Sequence, residues 1–532
     1  MPLQPILIDG QWQPAQPPVS TFQAMNPTTK MPLNDEYPVS NAAEVERIIQ
    51  ASYQAVQALC GFTPDQIADF LETYAANIEK RAPDLVELAY TETALPREPR
   101  LNSVELPRTT NQLRQAAAAA RARDWSHATI DTKLNIRSRY AALGGAVVVF
   151  GPNNFPFAFN GVSGGDFAAA IAAGNPVIAK ANPAHPGTTR LLAEAAFEAV
   201  QSCGMPGALV QLIYHLPPDV GQKLVAHPLL GATGFTGSRP AGMALKAAAE
   251  AAGKLIYLEM SSVNPVVILP GALRERADKI ADEFTASCTM GAGQFCTNPG
   301  LVILLESAES EAFLDSVVDR FHAAKPGILL SQRGPGNIAQ AIGVWQQHGA
   351  QLVVGGHEVD NPGFSFENTL LRVSGKQFLE SPEALQTEAF GATSLYVFAA
   401  DEAELQQVIA HLEGNLTGCI YSDTAGSDDK IYERIEPPLR AKVGRLLNDK
   451  MPTGVAVSSA MNHGGPYPAT GHPGFTSIGI PASLLRFGAL HSYDNVRPHR
   501  LPPELQNQNP TGHLWRLIDG QWSQADVPPP SP

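Results

Sequence analysis

The sequence predicts an α/β fold built on parallel sheets with helices on both faces. Two observations carry this. From Gly145 onward, short apolar runs alternate with helical stretches, beginning with the strand Ala146-Val147-Val148-Val149-Phe150 and the small-residue helix Val162 to Ala173. A buried strand followed by a helix returns most readily to a parallel neighbour, and repetition of that unit gives a doubly wound sheet. The chain also has 532 residues, too many for one core, so at least two packed units are expected.

Taken in order, Ser40-Asn41-Ala42-Ala43-Glu44 is a helix start, with a capping side chain and an acid in the first turn. Apolar residues at helical spacing carry that helix to about Leu59. A second helix begins near Thr63-Pro64-Asp65, and the alanine-rich stretch Gln115 to Arg123 is also predicted helical. Ala128 to Tyr140 alternates apolar and polar residues, as an exposed strand does. Further strands are predicted at Pro176–Ala179, Leu209–Ile213, Ala232–Phe235 and Leu255–Leu258. The helices Thr188–Gln201, Asp219–Ala226 and Pro240–Ala252 separate them. A second α/β unit runs from about Val263 to Val455, with strands at Val302–Leu305, Leu352–Val354 and Leu395–Phe398. One short echo stands out: Leu7-Ile8-Asp9-Gly10-Gln11-Trp12 returns as Leu517-Ile518-Asp519-Gly520-Gln521-Trp522. Both copies read as edge hairpins on Asp-Gly turns. Pro528-Pro529-Pro530 is expected to fray.

Composition narrows the function classes. The hydrophobic fraction is 44%, and no run of about 18 apolar residues could span a bilayer. Met1 to Trp12 lacks a basic region followed by an apolar core, so no secretory signal is expected there. Five cysteines, Cys60, Cys203, Cys288, Cys296 and Cys419, are scattered and odd in number. They suggest neither a disulfide framework nor a metal site, and they suit a reducing cytoplasm. With 37 basic against 51 acidic residues and no basic block, a small metabolite fits better than nucleic acid.

Several segments carry chemistry. In Gly291-Ala292-Gly293-Gln294-Phe295-Cys296-Thr297, glycines allow a tight turn that exposes a thiol and an amide N–H. A cysteine there suits a nucleophile, although a small buried hydrophobe fits the local sequence too. Cys288, in an apolar stretch without glycines, reads as the latter. Glu259 ends the strand Leu255 to Leu258, where catalytic groups of α/β folds collect; it suits a general base or a surface carboxylate. Asn153 and Asn154 follow Phe150-Gly151-Pro152 and suit an oxyanion donor or plain turn chemistry. Lys180 closes a strand, and Phe235-Thr236-Gly237-Ser238 closes another and opens a helix. Gly237 and Ser238 suit either a phosphate or simple capping, and no Gly-x-Gly-x-x-Gly fingerprint supports a dinucleotide there.

Together these segments resemble the aldehyde dehydrogenase superfamily, from about Ile6 to Leu501. The motifs fall in the family's order: Asn154-Phe155-Pro156, Lys180, Phe235-Thr236-Gly237-Ser238, Glu259, Gly293-Gln294-Phe295-Cys296, and Glu388-Ala389-Phe390-Gly391. The resemblance implies that Cys296 is the nucleophile. It also implies that Asn154 and the Cys296 N–H form the oxyanion hole and that Glu259 is the base for thioester hydrolysis. Lys180 would then hold the adenine-side ribose, Gly237 and Ser238 the pyrophosphate, and Glu388 the nicotinamide ribose, with Phe390 near the ring. The expected reaction is NAD(P)-dependent oxidation of an aldehyde to an acid through a thiohemiacetal and a thioester.

Departures from the family's pattern refine this. Met260-Ser261-Ser262 replaces the usual Leu-Gly-Gly. With Ala184-His185-Pro186-Gly187-Thr188 and Asn462-His463-Gly464-Gly465-Pro466, it resembles the branch of α-ketoglutarate semialdehyde dehydrogenases and a bacterial NADP-preferring fatty aldehyde dehydrogenase. His463 itself reads as an ordinary loop residue. NAD-preferring relatives carry an acid three residues after the strand-end lysine; here Pro183 stands there, which favours NADP over NAD. For a carboxylate-bearing substrate, Arg108 is the candidate cation. Phe155, Phe157 and Phe159 would instead line an apolar tunnel for a medium-chain aldehyde. A coenzyme-A-acylating enzyme and a non-catalytic scaffold are the remaining alternatives; Glu259 argues against the first, and the presence of Cys296 and Asn154 against the second.

The expected architecture is a Rossmann-type cofactor domain at 1–125 and 145–258, with a catalytic α/β domain at 259–475. An oligomerisation arm would use 126–144 and 476–505, the arm strand pairing near Leu484 to Asn495, and 506–532 would be a C-terminal extension. A homodimer or dimer of dimers is implied by the resemblance.

Overall fold

The apolar runs become strands because both their faces are covered: Val147, Val148, Ile178 and Leu212 are all buried. The computed structural model describes residues 3–528, so Pro529 and Pro530 of the proline tail lie outside it. The first sheet has seven strands in the order Leu255–Glu259, Leu230–Thr236, Ala146–Phe150, Val177–Lys180, Val210–Ile213, Ile6–Ile8 and Gln11–Gln13. The five strands between Ala146 and Glu259 are parallel, as the alternation predicts. The second sheet also has seven strands, between Pro265 and Asn448, and only Gln351–Val354 runs antiparallel to its neighbour. The carboxyl ends of the first sheet and the loops of the second enclose the site described below.

A third sheet stands apart, with five strands in the order Gly488–Asp494, Ile136–Ala142, Thr129–Asp131, Arg516–Ile518 and Gln521–Ser523. The expected single strand from Ala128 to Tyr140 is a hairpin, turned at Asn135 with φ 54°. The predicted pairing with the segment near Leu484 to Asn495 is present. The C-terminal residues are not a separate extension: Leu517 and Ile518 pair in parallel with Thr129 and Ile130. Both copies of the echo are hairpins. Asp9 and Gly10 have φ 49° and 67°, and Asp519 and Gly520 have φ 49° and 84°. Positive φ at both central residues is what a twist-matched two-residue turn needs, and Asp-Gly provides it at least cost. One hairpin covers the Val210–Ile213 edge of the first sheet; the other widens the third.

Two departures matter for function. The helix expected from Val162 begins only at Gly165, and residues 151–164 form a buried irregular loop. Packing forces this: a Cβ on Gly164 would lie 2.6 Å from the Phe159 backbone, and one on Gly151 2.8 Å from Phe159 O. The helix Leu106–Ala122 is preceded by a wide π-type turn over Arg97–Glu105, which hydrophobic periodicity does not announce. Among the described residues no helix is long and apolar enough to cross a membrane.

Candidate active site

Strand Leu255–Glu259 delivers Glu259 to the sheet's carboxyl end, where it is 1% exposed. Gly237 N–H donates to its backbone oxygen at 3.0 Å, and Thr470 bridges it from the other side. Cys296 arrives from the opposite sheet. Past helix Pro270–Thr289 the chain turns through left-handed backbone at Gly291, Ala292 and Gly293, with φ 57°, 56° and 73°. A Cβ on Gly293 would sit 2.1 Å from Ala392 N, so only glycine lets this turn press against Glu388–Gly391. Asn264 Nδ2 then donates to Cys296 O at 2.9 Å and to Asn298 O at 2.9 Å. Asn264 is itself fixed by Asn415, whose Oδ1 accepts the Val263 and Asn264 N–H groups.

The sequence reading of His463 as an ordinary loop residue is corrected here. It lies in a loop, but it is 1% exposed, and its Nε2 is 3.0 Å from Glu259 Oε1 and 3.4 Å from Cys296 Sγ. Its backbone is held by Thr476, whose hydroxyl accepts the His463 N–H at 3.0 Å. A signal was present in the adjacent glycines. A Cβ on Gly464 would meet Phe475 O at 2.1 Å, and one on Gly465 would meet Asn415 O at 2.2 Å. A histidine beside such a doublet belongs to packed interior rather than to a surface loop. Glu259, Cys296 and His463 each place one polar atom within 4.8 Å of the others, the proximity that proton exchange among three groups requires.

Electrostatics explain why a base is needed. Burial, then the charge of Glu259, pushes the Cys296 thiol well above its usual range, with Arg108 acting in the opposite sense. Cys288 is fully buried and its thiol is pushed up to about 12 by burial, with no such neighbours, which fits the packing role read from sequence. Asn154 is brought to Cys296: its Nδ2 donates to Gln294 O at 2.9 Å, which uses one of the amide's two hydrogens. Asn153 is half-buried in the same turn.

The remaining candidates divide into two groups. A cleft of about 250 Å³ between the sheets is lined by Arg239, Ser261, Ser262, Glu388, Glu413 and Asn415. Burial raises the Glu388 carboxyl to about 7, while Ser261 and the Ser262 N–H bind its charged form. Phe390 lies between Glu388 and Phe295, lining a narrow gap with Gly293 and Asn298. Gly237 and Ser238 precede helix Arg239–Ala251, and the Ser238 side chain makes no capping bond, so its hydroxyl is free for a ligand. Lys180 closes its strand 5.9 Å from the Phe150 ring, with no carboxylate paired to it among the described residues, and burial lowers its ammonium to about 8. Pro183 follows in the loop before helix Pro186–Ser202. An uncompensated cation at a strand's carboxyl end, a free hydroxyl at a helix N-terminus and a buried carboxyl in the cleft are the kinds of group a dinucleotide uses.

On the other side of Cys296, Phe155, Phe159 and Phe295 form an aromatic cluster with Ile478. Phe157, expected beside them, is instead in the main core with no exposure, because its backbone is turned inward by Glu105. Arg108 stands over Phe155 and Phe159 at 5.7 and 5.2 Å. Its Nε donates to Gln112 at 3.1 Å, and one Nη is buried without any partner.

Comparison with known proteins agrees with this geometry. The sequence model of the aldehyde dehydrogenase family matches residues 12–460. The chain is 39% identical to alpha-ketoglutaric semialdehyde dehydrogenase 2 of Azospirillum brasilense, over 94% of this chain and 96% of that one. It is 37% identical to alpha-ketoglutaric semialdehyde dehydrogenase of Acinetobacter baylyi, over 97% and 98%. Aldehyde dehydrogenase C of Pseudomonas syringae, solved with NAD+ and octanal, superposes with TM-score 0.78 at 18% identity, over 94% of this chain and 98% of that one. The 1-pyrroline-5-carboxylate dehydrogenase of Thermus thermophilus gives 0.79 at 22% identity, over 92% of each.

The shifted thiol yields a test. Alkylation by iodoacetamide should fall on Cys296 and spare Cys288, and its rate should climb with pH as the thiol ionises. His463→Gln should slow it about 100-fold near neutral pH, the low end of the usual scale for loss of a proton acceptor. Peptide mapping that finds label on Cys288 first, or an unchanged rate in His463→Gln, would contradict the assignment.

Proposed function

The chain belongs to the aldehyde dehydrogenase family, and from that premise we propose that Cys296 attacks a short aldehyde bearing a carboxylate, with α-ketoglutarate semialdehyde as the substrate. It is an NAD(P)-dependent aldehyde dehydrogenase, so the reaction is aldehyde plus water to carboxylic acid, with two electrons leaving as hydride.

The site residues divide the work. One nitrogen, His463 Nε2, faces both Cys296 Sγ and Glu259 Oε1, at 3.4 and 3.0 Å. A proton leaving the thiol can pass to Nε2 and be held there between thiolate and carboxylate. The thiolate then adds to the aldehyde carbon. The free N–H of the Asn154 amide and the Cys296 backbone N–H stabilise the oxygen of the resulting thiohemiacetal, an effect of about 3–4 kcal/mol per donor. Lys180, Gly237, Ser238, Glu388 and Phe390 would hold the cofactor, which would supply the hydride acceptor for the oxidation. Once the thiol proton has passed from His463 to solvent, Glu259, relayed by His463, takes a proton from water, whose oxygen attacks the thioester. Cys296 leaves as thiolate and the acid is released. A base so placed supports hydrolysis rather than transfer to coenzyme A.

The observation that carries the substrate reading is Arg108. Arg108 is half-buried, partial loss of water lowers its pKa, and one Nη is buried with no partner. A cation in that state gains most from a carboxylate, which can accept two parallel hydrogen bonds. The names of the two relatives point the same way. A second reading is an uncharged medium-chain aldehyde, favoured by the apolar surface of Phe155, Phe159, Phe295, Val455 and Val457. The third sheet supports a dimer or a dimer of dimers: among the described residues its Gly488–Asp494 edge has no neighbouring strand, and Leu490 there is 59% exposed.

Two measurements test this. Arg108→Ala should raise KM for the semialdehyde at least tenfold, from loss of about 1.5–3 kcal/mol in a charged hydrogen bond, and leave hexanal nearly unchanged. Equal effects on both aldehydes would favour the second reading. For the cofactor, Lys180 without a neighbouring acid, and Pro183 in the acid's place, favour NADP. Pro183→Glu should shift the kcat/KM ratio toward NAD, whereas a wild-type ratio strongly favouring NAD would overturn the preference.

A further inference from the structure

We infer that Arg100 and Glu105 form a buried strut that sets the position of the Asn154 amide, so that both act on the reaction without touching substrate. The inference rests on the proposed role of Asn154 as oxyanion donor.

The two residues lie on the π-type turn Arg97–Glu105 that precedes helix Leu106–Ala122. Glu105 is fully buried, and its Oε1 accepts the N–H groups of Phe157 and Ala158 at 2.8 and 3.0 Å. Its Oε2 pairs with Arg100 Nη1. Arg100 Nη2 donates to the backbone oxygen of Asn154 at 2.9 Å. The pair therefore holds the first half of the irregular loop at two places: the Asn154 carbonyl and, three and four residues on, the Phe157 and Ala158 amides. The guanidinium also lies 4.3 Å from the Phe155 ring and 5.3 Å from the Phe295 ring, next to the donor and to the nucleophile respectively.

Burying an ion pair costs several kcal/mol per ion unless its hydrogen bonds are satisfied, and apolar groups of the same volume pack at least as well. Stability alone does not call for charges here. What the pair adds is direction. The loop is not helical and cannot position Asn154 through its own backbone ladder, because most of its peptide groups are unavailable to regular structure. An oxyanion donor displaced by about 1 Å loses most of its effect. Each arginine keeps one buried nitrogen without a partner, Nε in Arg100 and Nη2 in Arg108, so the two differ in what their remaining nitrogens hold. Two Arg100 nitrogens are engaged by Glu105 and Asn154, whereas Arg108 holds only Gln112.

The experiment compares Arg100→Gln, Glu105→Gln and Asn154→Ala in the full-length enzyme. Three readouts are taken: kcat and KM for hexanal and for the semialdehyde, NADP binding by calorimetry, and alkylation of Cys296 by iodoacetamide, a displacement that develops no oxyanion. The strut predicts that Arg100→Gln and Glu105→Gln lower kcat about 10–100-fold for both aldehydes, short of or equal to the loss in Asn154→Ala. KM, cofactor affinity and alkylation rate should stay within about threefold, and Arg100→Lys, which keeps the charge pair, should recover part of kcat. A loss confined to the semialdehyde would make Arg100 a substrate anchor and overturn the strut. A parallel fall in alkylation and cofactor binding would reduce it to general support of the fold and also overturn it. If Asn154→Ala keeps wild-type turnover, the oxyanion reading fails, and the strut with it. If Asn154→Ala collapses turnover while both strut variants do not, the strut alone fails.

Discussion

The site turns on one shared nitrogen. His463 Nε2 stands between a buried carboxylate and a half-buried thiol. Burial and the Glu259 charge make the Cys296 thiol a poor nucleophile at rest, so a proton acceptor must lie within reach of Sγ. The same burial makes any charge that does form costly to leave unpaired. A proton held on Nε2 answers both demands, because it neutralises part of the charge of the thiolate and of the carboxylate together. Everything else in the fold serves to bring three distant segments to that point.

How the segments meet is a matter of backbone contact. Glu259 is fixed by the end of a parallel strand, a place that is rigid because its neighbours on the sheet are rigid. Cys296 and His463 are on loops, and each loop is pressed home at a glycine, Gly293 against Ala392 and Gly464 against Phe475. In each case a methyl group would separate two backbones that must touch. The Asn154 loop has the same device at Gly151 and Gly164, with a buried ion pair added. Two sheets thus supply fixed ends, and close backbone approaches supply the catalytic loops.

Much of this was legible in the sequence. Apolar alternation from Gly145 to Leu258 gave the parallel strands of the first sheet almost residue by residue, because a strand buried on both faces leaves little choice of composition, whereas Pro265–Ile268, Thr369–Ser374, Asn415–Tyr421 and Val443–Asn448 of the second were not read. The Asp-Gly echo gave both hairpins, because few other dipeptides accept positive φ twice in succession. Motif order, rather than any single motif, led to Cys296, Glu259 and Asn154 as the proposed catalytic groups. What was missed has a common character. His463, the strut of Arg100 and Glu105, and the inward turn of Phe157 depend on which loop lies against which. Hydrophobic period reports on helices and strands and says nothing about a polar loop in the interior. The late start of the helix at Gly165 is the same failure: small residues fit a helix, but close contacts at Gly151 and Gly164 decide otherwise. The joining of residues 516–523 to the arm sheet is also a tertiary event, since an edge hairpin does not announce whose edge it covers.

The central claim is that the reaction passes through an acyl group on Cys296 that Glu259 is needed to remove. The most direct measurement is mass spectrometry of Glu259→Gln, quenched in acid within seconds of mixing with NADP and hexanal. The account predicts a near-stoichiometric acyl adduct on the peptide carrying Cys296, absent when cofactor is omitted. An adduct on another cysteine, or none while the variant turns over at the wild-type rate, would contradict it.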